Sequence, residues 1–152
     1  MNRNNYFRVM PILQCSNAGK QILGQRFAAY LGLIPGPRGK DDGIDGSLNK
    51  NGVVIHFQSK LRSVTLNTDD ARNYYSDIVF HKANVSIILS GVGFKDEFRK
   101  RLFGHEGIEA VKIHLLELSD VFEKNRVFIN ACEDLPSLRF LDQSLREQFN
   151  LD

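Results

Sequence analysis

Asp45, Gln58 and Lys60 are the residues of this chain whose types and spacing could do chemistry together. Asp45 closes the acidic turn Gly39-Lys40-Asp41-Asp42-Gly43-Ile44-Asp45-Gly46, and the apolar run Val53-Val54-Ile55-His56-Phe57 ends in Gln58-Ser59-Lys60. A β-hairpin joining these stretches would bring a carboxylate, an amide oxygen and an ammonium to one end of two paired strands. A divalent cation and a scissile phosphate would fit there. Mg²⁺ prefers hard oxygen ligands, takes one or two protein carboxylates and keeps several waters. Asp45 can supply the carboxylate, Gln58 a neutral side-chain oxygen and Ser59 its main-chain carbonyl. Lys60, one pleat beyond Gln58, can orient or help deprotonate an attacking water and offset phosphate charge. Phosphodiester hydrolysis needs such help, since enzymes typically lower reaction barriers by roughly 8–23 kcal/mol.

The elements that must position these groups are legible in outline. Asn17-Ala18-Gly19-Lys20 opens a helical pattern in which Ile22, Leu23, Phe27, Tyr30 and Leu31 recur near a 3.6-residue period, ending near Gly32. Pro35-Gly36-Pro37-Arg38-Gly39 then reads as irregular, because two prolines lack donors and two glycines permit positive φ. Ile44 to Leu48, a turn at Asn49-Lys50-Asn51-Gly52 and Val53 to Ser59 form the hairpin. Alternation puts His56, Gln58 and Lys60 on one face of the second strand and Ile55, Phe57 and Ser59 on the other. Thr68-Asp69-Asp70 starts a helix, with a capping hydroxyl and acids in the first turn, running to about Lys82. A buried strand at Val85 to Leu89, a helix from Phe94 to Leu102 and a strand from Val111 to Leu115 follow. Strands alternating with helices imply crossovers, so the expected class is α/β, a sheet with parallel members covered by helices. Pro136 suits a first helical turn, and Leu138, Leu141, Leu145 and Phe149 make a stripe, so a C-terminal helix is expected over about 136–150.

With 152 residues, 42 % of them hydrophobic, the chain suits one domain over 1–152 with its core at about 17–123. The sequence lacks a membrane-spanning apolar stretch and a secretory h-region, which points to a soluble, cytoplasmic protein without membrane contact. Cys15 and Cys132 lie far apart without metal-ligand spacing, as expected of reduced structural thiols. Charge is divided along the chain. Residues 1–62 carry nine Lys/Arg against three acids, a net +6, and the remainder carries −4. A basic field around clustered carboxylates favours a polyanionic substrate, although chance asymmetry of a solvated surface would look the same.

The pattern Asp-Asp-Gly-Ile-Asp-Gly, a hairpin, then a hydrophobic strand ending in Gln-x-Lys resembles the PD-(D/E)xK restriction-endonuclease-like superfamily. More narrowly it resembles the Mrr-like branch, in which Gln-x-Lys often replaces Glu-x-Lys. The resemblance covers about residues 20–115. It implies a restriction-endonuclease-like mixed sheet flanked by helices, with Asp45 as the metal-binding aspartate, Gln58 at the second motif position and Lys60 as the catalytic lysine. The implied activity is Mg²⁺- or Mn²⁺-dependent hydrolysis of DNA in a restriction, defence or mobile-element setting. Arg38, Lys40, Lys50 and Arg62 are candidates for phosphate contacts. A homodimer would supply the two sites needed to cut both strands. Members of this branch commonly carry a Glu on the first helix, whereas this chain has no Glu before Glu97; Gln21 or Gln25 stands in that region.

Other readings compete. Asp41, Asp42 and Asp45 could be turn residues between glycines, with Gln58 and Lys60 on the solvated face of an edge strand. A catalytically silent member of the fold, binding nucleic acid or a protein partner, would also lack the helix Glu, and nothing in the sequence separates DNA from RNA as substrate. An EF-hand starting at Asp41 fails because Gly52 occupies the position of the bidentate Glu. Gly36-Pro37-Arg38-Gly39-Lys40 lacks the Ser or Thr of a phosphate-binding loop, and Gly91-Val92-Gly93 is too short for a dinucleotide fingerprint. His56 shares the face of Gln58 and could approach a phosphate, although a lone strand histidine is more often structural.

Overall fold

A computed structural model describes residues 2–36 and 43–135. The hairpin is its organising element. Strands β2 (Gly46–Lys50) and β3 (Val53–Lys60) pair antiparallel from Gly46↔Phe57 to Lys50↔Val53. They turn over two residues, Asn51 and Gly52, with φ of 54° and 81°. Positive φ at both positions is the primed turn whose twist matches that of the strands, and Asn-Gly tolerates it best. The turn is thus shorter than the four residues expected, because Asn49 and Lys50 remain in the ladder.

Helix α2 (Asn17–Tyr30) precedes the hairpin, its first turn capped by the Ser16 hydroxyl, which accepts from Gly19 N at 3.1 Å. Between them the proline-rich segment is not wholly irregular. Ile34 and Pro35 form a two-residue strand, β1, antiparallel to the start of β2. At the sheet's outer edge the missing proline N–H breaks no ladder bond. Helix α3 (Thr68–Phe80) starts as expected, but its cap is Asn67 and not the Thr68 hydroxyl. Asn67 and Asp70 form a reciprocal capping box, which satisfies two orphan N–H groups at once. Then come β4 (Val85–Ser90), α4 (Asp96–Phe103) and β5 (Lys112–Glu117).

The sheet order is β1-β2-β3-β4-β5, with β1 to β3 an antiparallel meander and β3 to β5 parallel. The protein is therefore α/β with a five-stranded mixed sheet flanked by helices. Three helices were not expected. Helix α1 (Arg3–Leu13) escapes a periodicity reading because it carries Pro11 and several polar residues, and α5 (Leu118–Glu123) is too short to show a period; α6 (Arg126–Glu133) is amphipathic and as long as α4, and its signal was overlooked. The C-terminal helix expected over 136–150 lies outside the described residues.

Each sheet face has its own core. Ile55, Phe57, Ile87 and Leu89 pack with Val9, Leu13, Ala28, Leu118 and Phe128, from the side of α1, α2, α5 and α6. Ile88 packs with Leu66, Tyr74, Ile78, Phe98 and Leu102, from α3 and α4. Alternation along β3 therefore sends Ile55 and Phe57 towards α2, and His56 and Gln58 towards α3. Among the described residues no helix is long and apolar enough to cross a membrane.

Candidate functional site

Strand β3 is central, so neither Asp45 nor Gln58 is a solvated turn or edge residue: they are 5 % and 2 % exposed. Asp45 sits immediately before β2 and continues its pairing, its N–H donating to the Phe57 carbonyl at 2.8 Å. Its side chain then takes the place of the next ladder partner. Oδ2 accepts from Ser59 N at 2.6 Å and from the Ser59 hydroxyl at 3.1 Å. A strand residue directs its N–H and C=O to the same neighbour, so the Ser59 carbonyl opens beside the Asp45 carboxylate, past the end of β2. Helix α2 meets this corner at Gly24. A Cβ there would lie 2.5 Å from Ser59 Oγ and 3.2 Å from Asp45 Cγ.

Gln58 faces the opposite side. Its Nε2 donates to Asp77 Oδ2 of α3 at 3.0 Å, and its Oε1 is buried without a hydrogen-bond partner among the described residues. Reversing the amide would set oxygen against carboxylate, so the observed orientation is the favourable one. An acceptor left unsatisfied in a buried position costs about 1–3 kcal/mol, which a cation or a cation-bound water would offset. The Asp45 carboxylate and Ser59 thus face α2 while the Gln58 side chain faces α3, so the structure does not bring the expected ligands Asp45 and Gln58 together on one side of the sheet: only the Asp45 carboxylate and the Ser59 carbonyl share a corner where a hard divalent ion would fit.

His56 anchors the loop that delivers Asp45. Its Nε2 lies 2.7 Å from the Gly43 carbonyl and its Nδ1 2.8 Å from Ser86 Oγ, which in turn lies 2.6 Å from the Tyr74 hydroxyl. Nε2 must donate to Gly43, so Nδ1 accepts from Ser86, and Ser86 accepts from Tyr74. The His56 pKa is lowered from 6.5 to about 4, chiefly by burial, with the Gly43 carbonyl opposing the shift and the neighbouring His81 adding to it. Burial likewise pushes the Tyr74 hydroxyl well above its ordinary value. His56 is thus a neutral, fully enclosed support that cannot approach a phosphate.

The basic candidates are dispersed. Lys60 is half-buried at the end of β3 and makes no ion pair among the described residues. Arg62, two residues on, is held by Asp70 at 2.7 Å, with part of its side chain exposed. Lys50 lies at the other end of β2, four residues from Gly46 or roughly 14 Å at strand rise, too far to share a phosphate with Lys60. Arg38 and Lys40, with Asp41 and Asp42, lie outside the described residues. On α2, Gln25 Nε2 donates to the Gly36 carbonyl at 2.9 Å, and the residue over Asp45 is Gly24, so no acid from that helix meets this corner.

Asp77 is the residue missed from the sequence. Its only signal there is its place three residues after Tyr74 and one before Ile78, both on the sheet-facing stripe of α3. Among the described residues no three His, Cys, Asp or Glu side chains gather as a metal cluster, so a cation here would draw on neutral oxygens too. The chain matches no known protein-family profile and no curated protein sequence.

Proposed function

We propose that the chain is a Mg²⁺- or Mn²⁺-dependent endonuclease hydrolysing DNA phosphodiester bonds, with a restriction-endonuclease-like fold and a role in restriction, defence or mobile elements. The observation that supports this reading is the buried Asp45 carboxylate fixed against Ser59 at the end of the central strand that also carries Lys60. Asp45 and the Ser59 carbonyl would hold the ion, which when bound would supply charge stabilisation at the phosphate and an acidified water; Gln58, turned towards Asp77, stands outside that shell. Ser59 N–H and hydroxyl keep the Asp45 carboxylate in place through two hydrogen bonds. Lys60 offsets charge on the phosphate and orients the attacking water. Order of elements supports the fold: a helix, a three-strand meander, a crossover helix and a parallel strand.

Incubation of plasmid with protein and Mg²⁺ or Mn²⁺ tests the proposal. Cleavage should fall by about 10²–10⁴-fold in Lys60→Ala, the range for losing a positioned proton-transfer group, and be lost in Asp45→Ala. Cleavage that survives both substitutions rules the mechanism out. A second reading, a module that binds DNA or a protein partner without cutting, is favoured by Gly24 standing where an acid would complete the ion's shell. It requires DNA binding unchanged by divalent metal and no cleavage.

A further inference from the structure

A concave site lies between α1, α2 and α5. Leu23, Phe27 and Tyr30 recur at helical spacing along α2, on the stripe beside the one that buries Gly24 and Ala28. They meet Val121 and Phe122 of α5 across a cavity of about 360 Å³. Leu23, Phe27 and Phe122 are half-buried and make its floor, while Tyr30 stands at the rim, exposed and stacked on Phe128 with ring centroids 6.3 Å apart. The charged groups of the lining are all cations: Arg8 of α1, Arg26 of α2 and Lys124 just past α5. Arg8 lies over the Phe122 ring, 5.9 Å from its centroid, which joins one cation to the apolar floor.

No carboxylate answers these charges. The chain has no acid before Asp41, so α1 and α2 bring none. Of the acids of α5, Glu123 accepts from Asn5 Nδ2 at 2.6 Å, and Asp120 accepts from Asn125 Nδ2 and Glu117 N at 2.6 and 2.9 Å. Arg8, Arg26 and Lys124 make no ion pair among the described residues. From this juxtaposition we infer that the cavity binds a small organic carboxylate with a flat apolar body, the body lying on Leu23, Phe27 and Phe122 and the carboxylate held by the three cations. The volume falls within the range of small-molecule sites, about 300–1,000 Å³, and a mostly apolar wall with a few convergent polar groups is their usual make-up. Rings on the floor accept a flat partner offset or edge-on, and an arginine fork matches both oxygens of a carboxylate. A nucleobase is a poorer fit, because its edge needs donors and acceptors where Leu23, Phe27 and Val121 offer none. The inference is independent of the nuclease reading.

The test is titration of 2-naphthoate into the ¹⁵N-labelled full chain, followed by amide chemical shifts. Saturable shifts should centre on Leu23, Phe27 and Phe122. 2-Naphthalenemethanol, the same body without charge, and acetate, the same head without a body, should each bind about tenfold or more weakly. Arg26→Glu combined with Lys124→Glu, both at exposed positions, should weaken naphthoate about tenfold or more while the remaining amides keep their places. Equal binding of the alcohol, or equal binding of naphthoate by the double variant, overturns the inference, since the cations then select nothing. Shifts centred elsewhere, or no shifts, overturn it too. Saturation of the same amides by single-stranded oligothymidylate at lower concentration than naphthoate overturns the assignment to a small ligand and makes this a nucleic-acid face. The readout involves neither metal nor cleavage, so its failure leaves the nuclease reading untouched.

Discussion

The histidine on β3 carries a measurable signature. His56 is uncharged in the folded protein, with its pKa near 4, while an unfolded chain protonates it near 6.5. Between those values the unfolded state binds the extra proton, so stability is present above about pH 6.5 and is lost as pH falls towards 4. The shift corresponds to about 3 kcal/mol. In denaturant titrations across this window His56→Gln should flatten the dependence by about one proton; an unchanged slope would show that the imidazole does not titrate in this way. At this scale the facing of the strand residues was legible. A two-residue period in β3 separates Gln58 and Lys60 from Ile55 and Phe57, and the core assignments follow it. The engagement of Asp45 with Ser59, and of Gln58 with Asp77, was not. Both depend on how the strand end and α3 are rotated about their axes, which packing decides and residue spacing does not encode.

Among the elements, α2 and the hairpin approach each other unusually closely at two glycines. Gly46 would place a Cβ 2.4 Å from that of Ala28, and Gly24 one 2.5 Å from Ser59 Oγ. Alanine is a better helix former than glycine by about 1 kcal/mol, so an exposed Gly24→Ala would be stabilising. Here the clash with a hydroxyl already bonded to Asp45 wins, since overpacking costs about 1–3 kcal/mol. Thermal unfolding of Gly24→Ala should show net destabilisation. Adding Ser59→Gly should recover part of it, with a coupling of about 0.5 kcal/mol or more; strict additivity would mean that the two residues do not meet. Elements with a cap, a period or an Asn-Gly turn were readable: α2, α3 and the hairpin each had one. A two-residue strand containing Pro35 and a helix containing Pro11 break the very rules that make strands and helices visible. They persist because β2 and the α5 side of the core hold them from outside.

For the molecule as a whole, the proposed nuclease function requires the basic N-terminal portion to meet phosphates. DNA affinity should fall steeply with salt, each contacted phosphate contributing about −0.9 to the log–log slope. On that proposal, Lys50→Ala should leave DNA affinity within about twofold, because Lys50 stands at the far end of the hairpin from Lys60; a large loss would place the duplex along β2. The sheet's two margins carry one more consequence. One is a two-residue strand ending in Pro35, and the other, β5, carries Lys112 and His114 tied to Asp134 at 3.2 and 2.6 Å. Short length, a missing donor and engaged charges all discourage lateral growth of a sheet. Among the described residues the hydrogen-bonded ribbon therefore ends at both margins, and any contact between copies is steered away from its edges.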